Sequence, residues 1–79
     1  MDSYIGQIVL FAFNRDVQGW AHCNGTVLPT NNYPALYSLI GNRYGGDPSK
    51  GTFALPKMTA PDPNMGYFIC IEGVYPSWP

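Results

Sequence analysis

Residues 20–28 read WAHCNGTVL. Asn24-Gly25 is the pair favoured in a two-residue type I′ turn, whose central positions both need positive φ. The flanks, Trp20 to Cys23 and Thr26 to Leu28, are short runs suited to strand arms, and Pro29 stops the second arm. The stretch therefore predicts a tight hairpin from Trp20 to Leu28, and the rest of the chain is read outward from it.

On the N-terminal side, GQIVLFAF at residues 6–13 alternates along a strand. Ile8, Leu10 and Ala12 share one face; Val9, Phe11 and Phe13 share the other. Both faces are apolar, so this strand is expected to be buried on both sides or to lie at an interface. On the C-terminal side, NNYPALYSLIG predicts a short helix near Tyr33 to Ile40. Asn32 is a candidate cap, Pro34 suits the first turn, and Gly41 suits a left-handed position at the end. Leu36, Leu39 and Ile40 fall at i, i+3 and i+4 and form its buried stripe. TFALP at residues 52–56 is a brief extended piece, KMTAPDPNMG is a proline-rich connection, and YFICIEGVY is a final strand. The order β-β-β-α-loop-β gives one small α+β domain over residues 1–79, rich in turns.

Charged residues make up 11% of this 79-residue chain, against about 25% in an average domain, while 46% are hydrophobic and 15% aromatic. A domain this small barely offsets its ordering entropy by burial alone. With so few charges to cover a free surface, part of that surface is expected to be buried against other protein. The net charge of −1 and the scattered Arg15, Arg43, Lys50 and Lys57 argue against a nucleic-acid polymer as partner. No apolar run approaches the roughly 20 residues that span a bilayer. The N-terminal segment lacks a basic region ahead of its apolar run, so it is not expected to be a secretory signal.

NRYGGDPSKGTFALP at residues 42–56 has the composition of a binding loop, with paired glycines, an aspartate, two cations and aromatics. Tested against known chemistry, it fits poorly. A phosphate-binding loop needs Gly-Lys-Ser/Thr opening a helix, whereas here Lys50-Gly51-Thr52 leads into an extended piece. The dinucleotide fingerprint fails on glycine spacing. A calcium loop needs several oxygen ligands, and Asp47 is the sole carboxylate between Asp16 and Asp62. The glycines and Asp47-Pro48 read better as a shaped turn. His22 and Cys23 are adjacent on a strand and point to opposite faces, which argues against a catalytic pair. Two cysteines and one histidine do not make a zinc site; Cys23 and Cys70 are expected to be buried free thiols, the alternative being a disulfide between them. No catalytic, metal or cofactor residue is assigned.

These motifs together resemble the phage tail collar domain family. The resemblance rests on Gly19-Trp20-Ala21-His22-Cys23-Asn24-Gly25 with Leu28 and Pro29, then ALYSLIG at 35–41, YGGD at 44–47, TFALP at 52–56 and YFICIEGVYPS at 67–77. It covers nearly the whole chain. It implies a structural, non-enzymatic module of tail fibres or phage-like particles, a homotrimer contacting other tail or baseplate proteins. The expected location is the virion tail, after synthesis in the bacterial cytoplasm. Relatives carry a long distal insertion after an Arg-Gly-Arg segment. Here ten residues, Lys57 to Gly66, take its place, which argues against receptor binding through such a part. The competing reading is a free-standing oligomeric module holding a glycan or nucleotide. Arg43, Tyr44, Asp47, Lys50, Tyr75 and Trp78 are the candidate interface or ligand contacts: Tyr44, Tyr75 and Trp78 would stack on a ligand, or pack in the core or between subunits, and Arg43 and Lys50 would contact charge.

Overall fold

The computed structural model describes residues 3–77. Its strands are β1 (Ile8–Phe11), β2 (Trp20–His22), β3 (Val27–Pro29), β4 (Thr52–Ala54) and β5 (Gly66–Cys70). One helix, α1 (Pro34–Ile40), and a 3-10 turn at Pro48–Lys50 lie between β3 and β4. The architecture is mixed α+β, mostly strands and turns, as the sequence predicts.

Strand β5 organises the molecule. Its aromatic and β-branched residues favour extended backbone, and it is the middle of a three-stranded antiparallel sheet ordered β1-β5-β2. Ile8 faces Ile69 and Leu10 faces Tyr67 on one side; Trp20 faces Cys70 and His22 faces Phe68 on the other. Flanked on both edges, β5 is the most buried strand: Phe68, Ile69 and Cys70 are within 1% of complete burial. Side chains alternate across the sheet. Ile69 joins the interior with Leu36 of α1, Cys23, Phe53 and Leu55, and Tyr67 packs against that cluster. On the opposite face Phe68 is covered by Phe11, Phe13 and His22, with ring centroids 5.2, 6.2 and 4.3 Å away.

The hairpin expected from Trp20 to Leu28 is not formed. Its first arm, β2, pairs with β5, and its second, β3, pairs antiparallel with β4 in a separate two-stranded sheet. Asn24-Gly25 carries the chain from one sheet to the other. Gly25 has φ +83, but no described non-glycine residue has positive φ, so the type I′ turn is excluded. Asn24 instead accepts on Oδ1 from the Thr26 backbone N–H at 3.1 Å and from the Thr26 hydroxyl. Pairing each arm with a distant strand buries Phe53, Leu55, Phe68 and Ile69, far more apolar surface than a three-residue hairpin could.

Helix α1 falls where expected, with Leu36 buried and Leu39 and Ile40 half-buried. Its cap differs from the expectation: Tyr33 occupies the position, no side chain caps it, and Asn32 takes no part. Gly41 has φ +57 but ψ −144, outside the left-handed helical region, and its N–H donates to Tyr37 C=O at 2.8 Å. Strand β1 is not buried on both sides. Val9 and Phe11 are half-buried, whereas Ile8, Leu10 and the following Phe13 are exposed.

Candidate functional site

The loop of residues 42–51 is built around one side chain that the sequence reading passed over. Asn42 accepts on Oδ1 from the Tyr37 hydroxyl at 2.7 Å and donates through Nδ2 to the carbonyls of Gly45 (3.1 Å) and Thr52 (2.8 Å). It ties the end of α1 to the start of β4. Asp47 caps the 3-10 turn: its Oδ1 accepts from the backbone N–H and hydroxyl of Ser49, at 3.0 and 2.6 Å. Its own N–H donates to Thr52 Oγ1 at 2.9 Å. Gly46 lies against β4 so closely that a Cβ there would stand 2.4 Å from Phe53 Cα, and its φ is +88. Only glycine fits both conditions.

The remaining candidates project from this frame. Arg43, Tyr44 and Lys50 are exposed, and neither cation has an ion-pair partner among the described residues. Tyr75 lies elsewhere, its hydroxyl 2.7 Å from Ser38 Oγ on α1. Trp78 lies outside the described residues. Arg43, Tyr44, Asp47 and Lys50 thus share one loop, and Tyr75 meets the helix that precedes it. The surface hollows open elsewhere: one of about 310 Å³ is bordered by Asn14, His22, Asn24, Met58, Met65 and Tyr67. A second, of about 250 Å³, lies on the other side of His22 against Asp16, Trp20 and Leu28.

His22 and Cys23 turn away from each other. The His22 ring packs on Phe68, and its Nε2 lies 3.1 Å from Asp16 Oδ1. Cys23 sits in the interior cluster with Leu36 and Phe53. Burial pushes the Cys23 thiol above its ordinary value, which leaves it a poor nucleophile. Burial does the same to Cys70, whose Sγ donates to Glu72 C=O at 3.2 Å. No group of three or more His, Cys, Asp or Glu side chains is placed to hold a metal ion among the described residues.

The short connection of residues 57–66 folds back rather than projecting. Lys57 bridges to Asn24, Met58 N–H donates to Cys23 C=O at 2.9 Å, and Asp62 closes a turn by accepting from Asn64 N–H at 2.8 Å. This connection lies against Cys23 and Asn24, just past the end of β2.

On the β1 side of the main sheet, the bonding pattern decides which backbone groups are left open. Gln7 C=O accepts from Cys70 N–H at 2.9 Å, which fixes the even-numbered residues of β5 as those bonded toward β1. Tyr67 C=O accepts from Cys23 N–H at 3.0 Å and Gly19 C=O from Ile71 N–H at 2.9 Å, so the odd-numbered ones bond toward β2. In an antiparallel ladder bonded pairs alternate with unbonded ones. Val9 and Phe11 therefore bond inward, and the N–H and C=O of Ile8 and Leu10 point away from the sheet. The same two residues carry the exposed aliphatic side chains. The sequence signal for this edge was the doubly apolar alternation of residues 8–13.

Fold and surface together define a small mixed α+β domain whose charged loop is bonded to itself and whose first strand is open. The sequence profile of the Phage Tail Collar Domain family matches residues 6–63, well over half of the 79-residue chain. The chain belongs to that family, a structural family of phage tail fibres. Membership implies association with other phage tail components and a place in the virion tail. A comparison with curated proteins gave no match.

Proposed function

We propose that the protein is a non-enzymatic oligomerisation module of a phage tail fibre, tail tip or phage-like particle. It associates with itself, as a homotrimer, and with other tail or baseplate proteins. The observation that carries this reading is the conjunction of an 11% charge content with exposed Ile8, Leu10 and Phe13 on one strand and its exit. Such a surface is stabilised when another copy removes it from water. Catalysis draws no support from a histidine and a thiol that face opposite ways.

The test is sedimentation equilibrium of the purified chain over a hundredfold dilution, read beside circular dichroism. The expected result is a folded multimer, three copies or a multiple of three, that dissociates only on dilution. A folded monomer at every concentration contradicts the proposal.

A further inference from the structure

We infer that β1 is a self-pairing edge: it joins the β1 of a second copy in antiparallel register about a two-fold axis through Val9. The inference rests on the self-association proposed above and goes beyond it by naming a contact and its symmetry.

Exposed strand edges in folded proteins are guarded, by lysine or proline, by a bulge, or by a covering loop. Strand β2 is only three residues long, and on its outer side Trp20 N–H already donates to Val17 C=O of the preceding loop at 3.0 Å. Strand β4 is guarded by the loop, through Ala54 N–H on Gly45 C=O at 3.2 Å and Asn42 Nδ2 on Thr52 C=O. Strand β1 has none of these devices. Its sequence is Ile-Val-Leu-Phe, its register with β5 is unbroken over all four residues, and no described group bonds to the outer side of Ile8 or Leu10.

The open groups are self-complementary. Ile8 and Leu10 each direct one N–H and one C=O outward. A two-fold axis at Val9 sets Ile8 opposite Leu10 of the second copy, and Leu10 opposite its Ile8. Each is then a bonded pair, and together they make four backbone hydrogen bonds. The exposed side chains of Ile8 and Leu10 meet across the axis as an aliphatic cross-strand pair. No charge opposes this contact, because β1 carries none and the nearest charged residues along the chain are Asp2 and Arg15. The result is a continuous six-stranded sheet, which closes two copies without leaving either β1 edge exposed. A three-fold ring needs a head-to-tail contact elsewhere, so this contact multiplies any ring by two.

Two sets of variants test it by native mass spectrometry and non-reducing electrophoresis, with circular dichroism to confirm folding. Ile8→Lys/Leu10→Lys places like charges across the axis and is expected to halve the mass of the assembly. Ile8→Glu/Leu10→Lys places opposite charges across the same axis and is expected to restore it. Val9→Cys brings two thiols together on the axis and is expected to yield a covalent dimer on mild oxidation, without any need to weaken the fold. Unchanged mass in both charge variants, or a Val9→Cys protein that stays uncross-linked while assembled, overturns the inference. A wild-type protein that is a plain trimer overturns it and leaves the proposed function standing; a folded wild-type monomer overturns both.

Discussion

The loop of residues 42–51 holds an arginine, a lysine, an aspartate and paired glycines, while Ile8–Phe11 holds four apolar residues and no polar side chain. In the loop, Asn42 and Asp47 turn their bonding groups inward, onto Tyr37, Gly45, Thr52 and Ser49. In β1, backbone groups of Ile8 and Leu10 face outward beside exposed aliphatic side chains. The region with the richer chemistry is closed, and the plainer one is open. Polar residues in a small domain must first satisfy the backbone of irregular segments. Recognition is then left to whatever remains unpaired.

The contrast is testable by asking which changes alter stability and which alter assembly. The largest effect is expected at Gly46. Gly46→Ala places a Cβ 2.4 Å from Phe53 Cα and 2.8 Å from Thr52 O, at a φ of +88. A loss of roughly 3–5 kcal/mol in chemical denaturation is expected, enough to unfold much of so small a domain. Wild-type stability would show that the loop does not pack on β4. Next comes Asn42→Ala, which removes three hydrogen bonds and strands the Thr52 carbonyl and the Tyr37 hydroxyl, while Gly45 C=O keeps its bond from Ala54 N–H. It is expected to cost about 2 kcal/mol while leaving assembly mass unchanged at concentrations where the protein stays folded.

A smaller effect belongs to the interior thiols. Burial raises the folded-state values of Cys23 and Cys70 above the ordinary 9.0. The unfolded chain therefore gives up these protons first as pH rises. Stability is flat with respect to both thiols below about pH 8 and falls above about pH 9, by up to roughly 1.4 kcal/mol per pH unit for each thiol. Melting temperatures across pH 7–10.5, compared between wild type and Cys23→Ala/Cys70→Ala, isolate the contribution. An equal alkaline slope in both would place the thiols in water. The smallest effect is expected from Arg43→Ala and Lys50→Ala, each within about 0.5 kcal/mol in stability, as for exposed side chains without partners. A larger loss of stability, or a change of assembly mass, would move the open region from β1 to the loop.

Much of this fold was legible because local rules sufficed. Pro34, the Leu36–Leu39–Ile40 spacing and Gly41 mark α1 to within a residue, and the apolar runs around Val9 and Phe68 mark the first and last strands. Pairing was not legible. The Asn24-Gly25 signal is strong and local, yet each arm gains more from a partner dozens of residues away, and no single stretch records that gain. The loop was legible as a shaped turn from its glycines and Asp47-Pro48. Asn42 was not, because its role depends on Tyr37, Gly45 and Thr52 arriving together. Doubly apolar alternation at residues 8–13 did mark a strand with apolar side chains on both faces, of which Ile8 and Leu10 are exposed. Which backbone groups it leaves open follows only from the register with β5.

Residue-resolved amide hydrogen exchange of the assembled wild-type protein addresses the central claim most directly. Val9 and Phe11 amides bond within one copy and are expected to exchange slowly at every concentration. Ile8 and Leu10 amides are expected to exchange as slowly as these when the protein is assembled, and to speed up many-fold on dilution to the dissociated form. Fast exchange at Ile8 and Leu10 in the assembled protein, with Val9 and Phe11 still protected, would contradict the account.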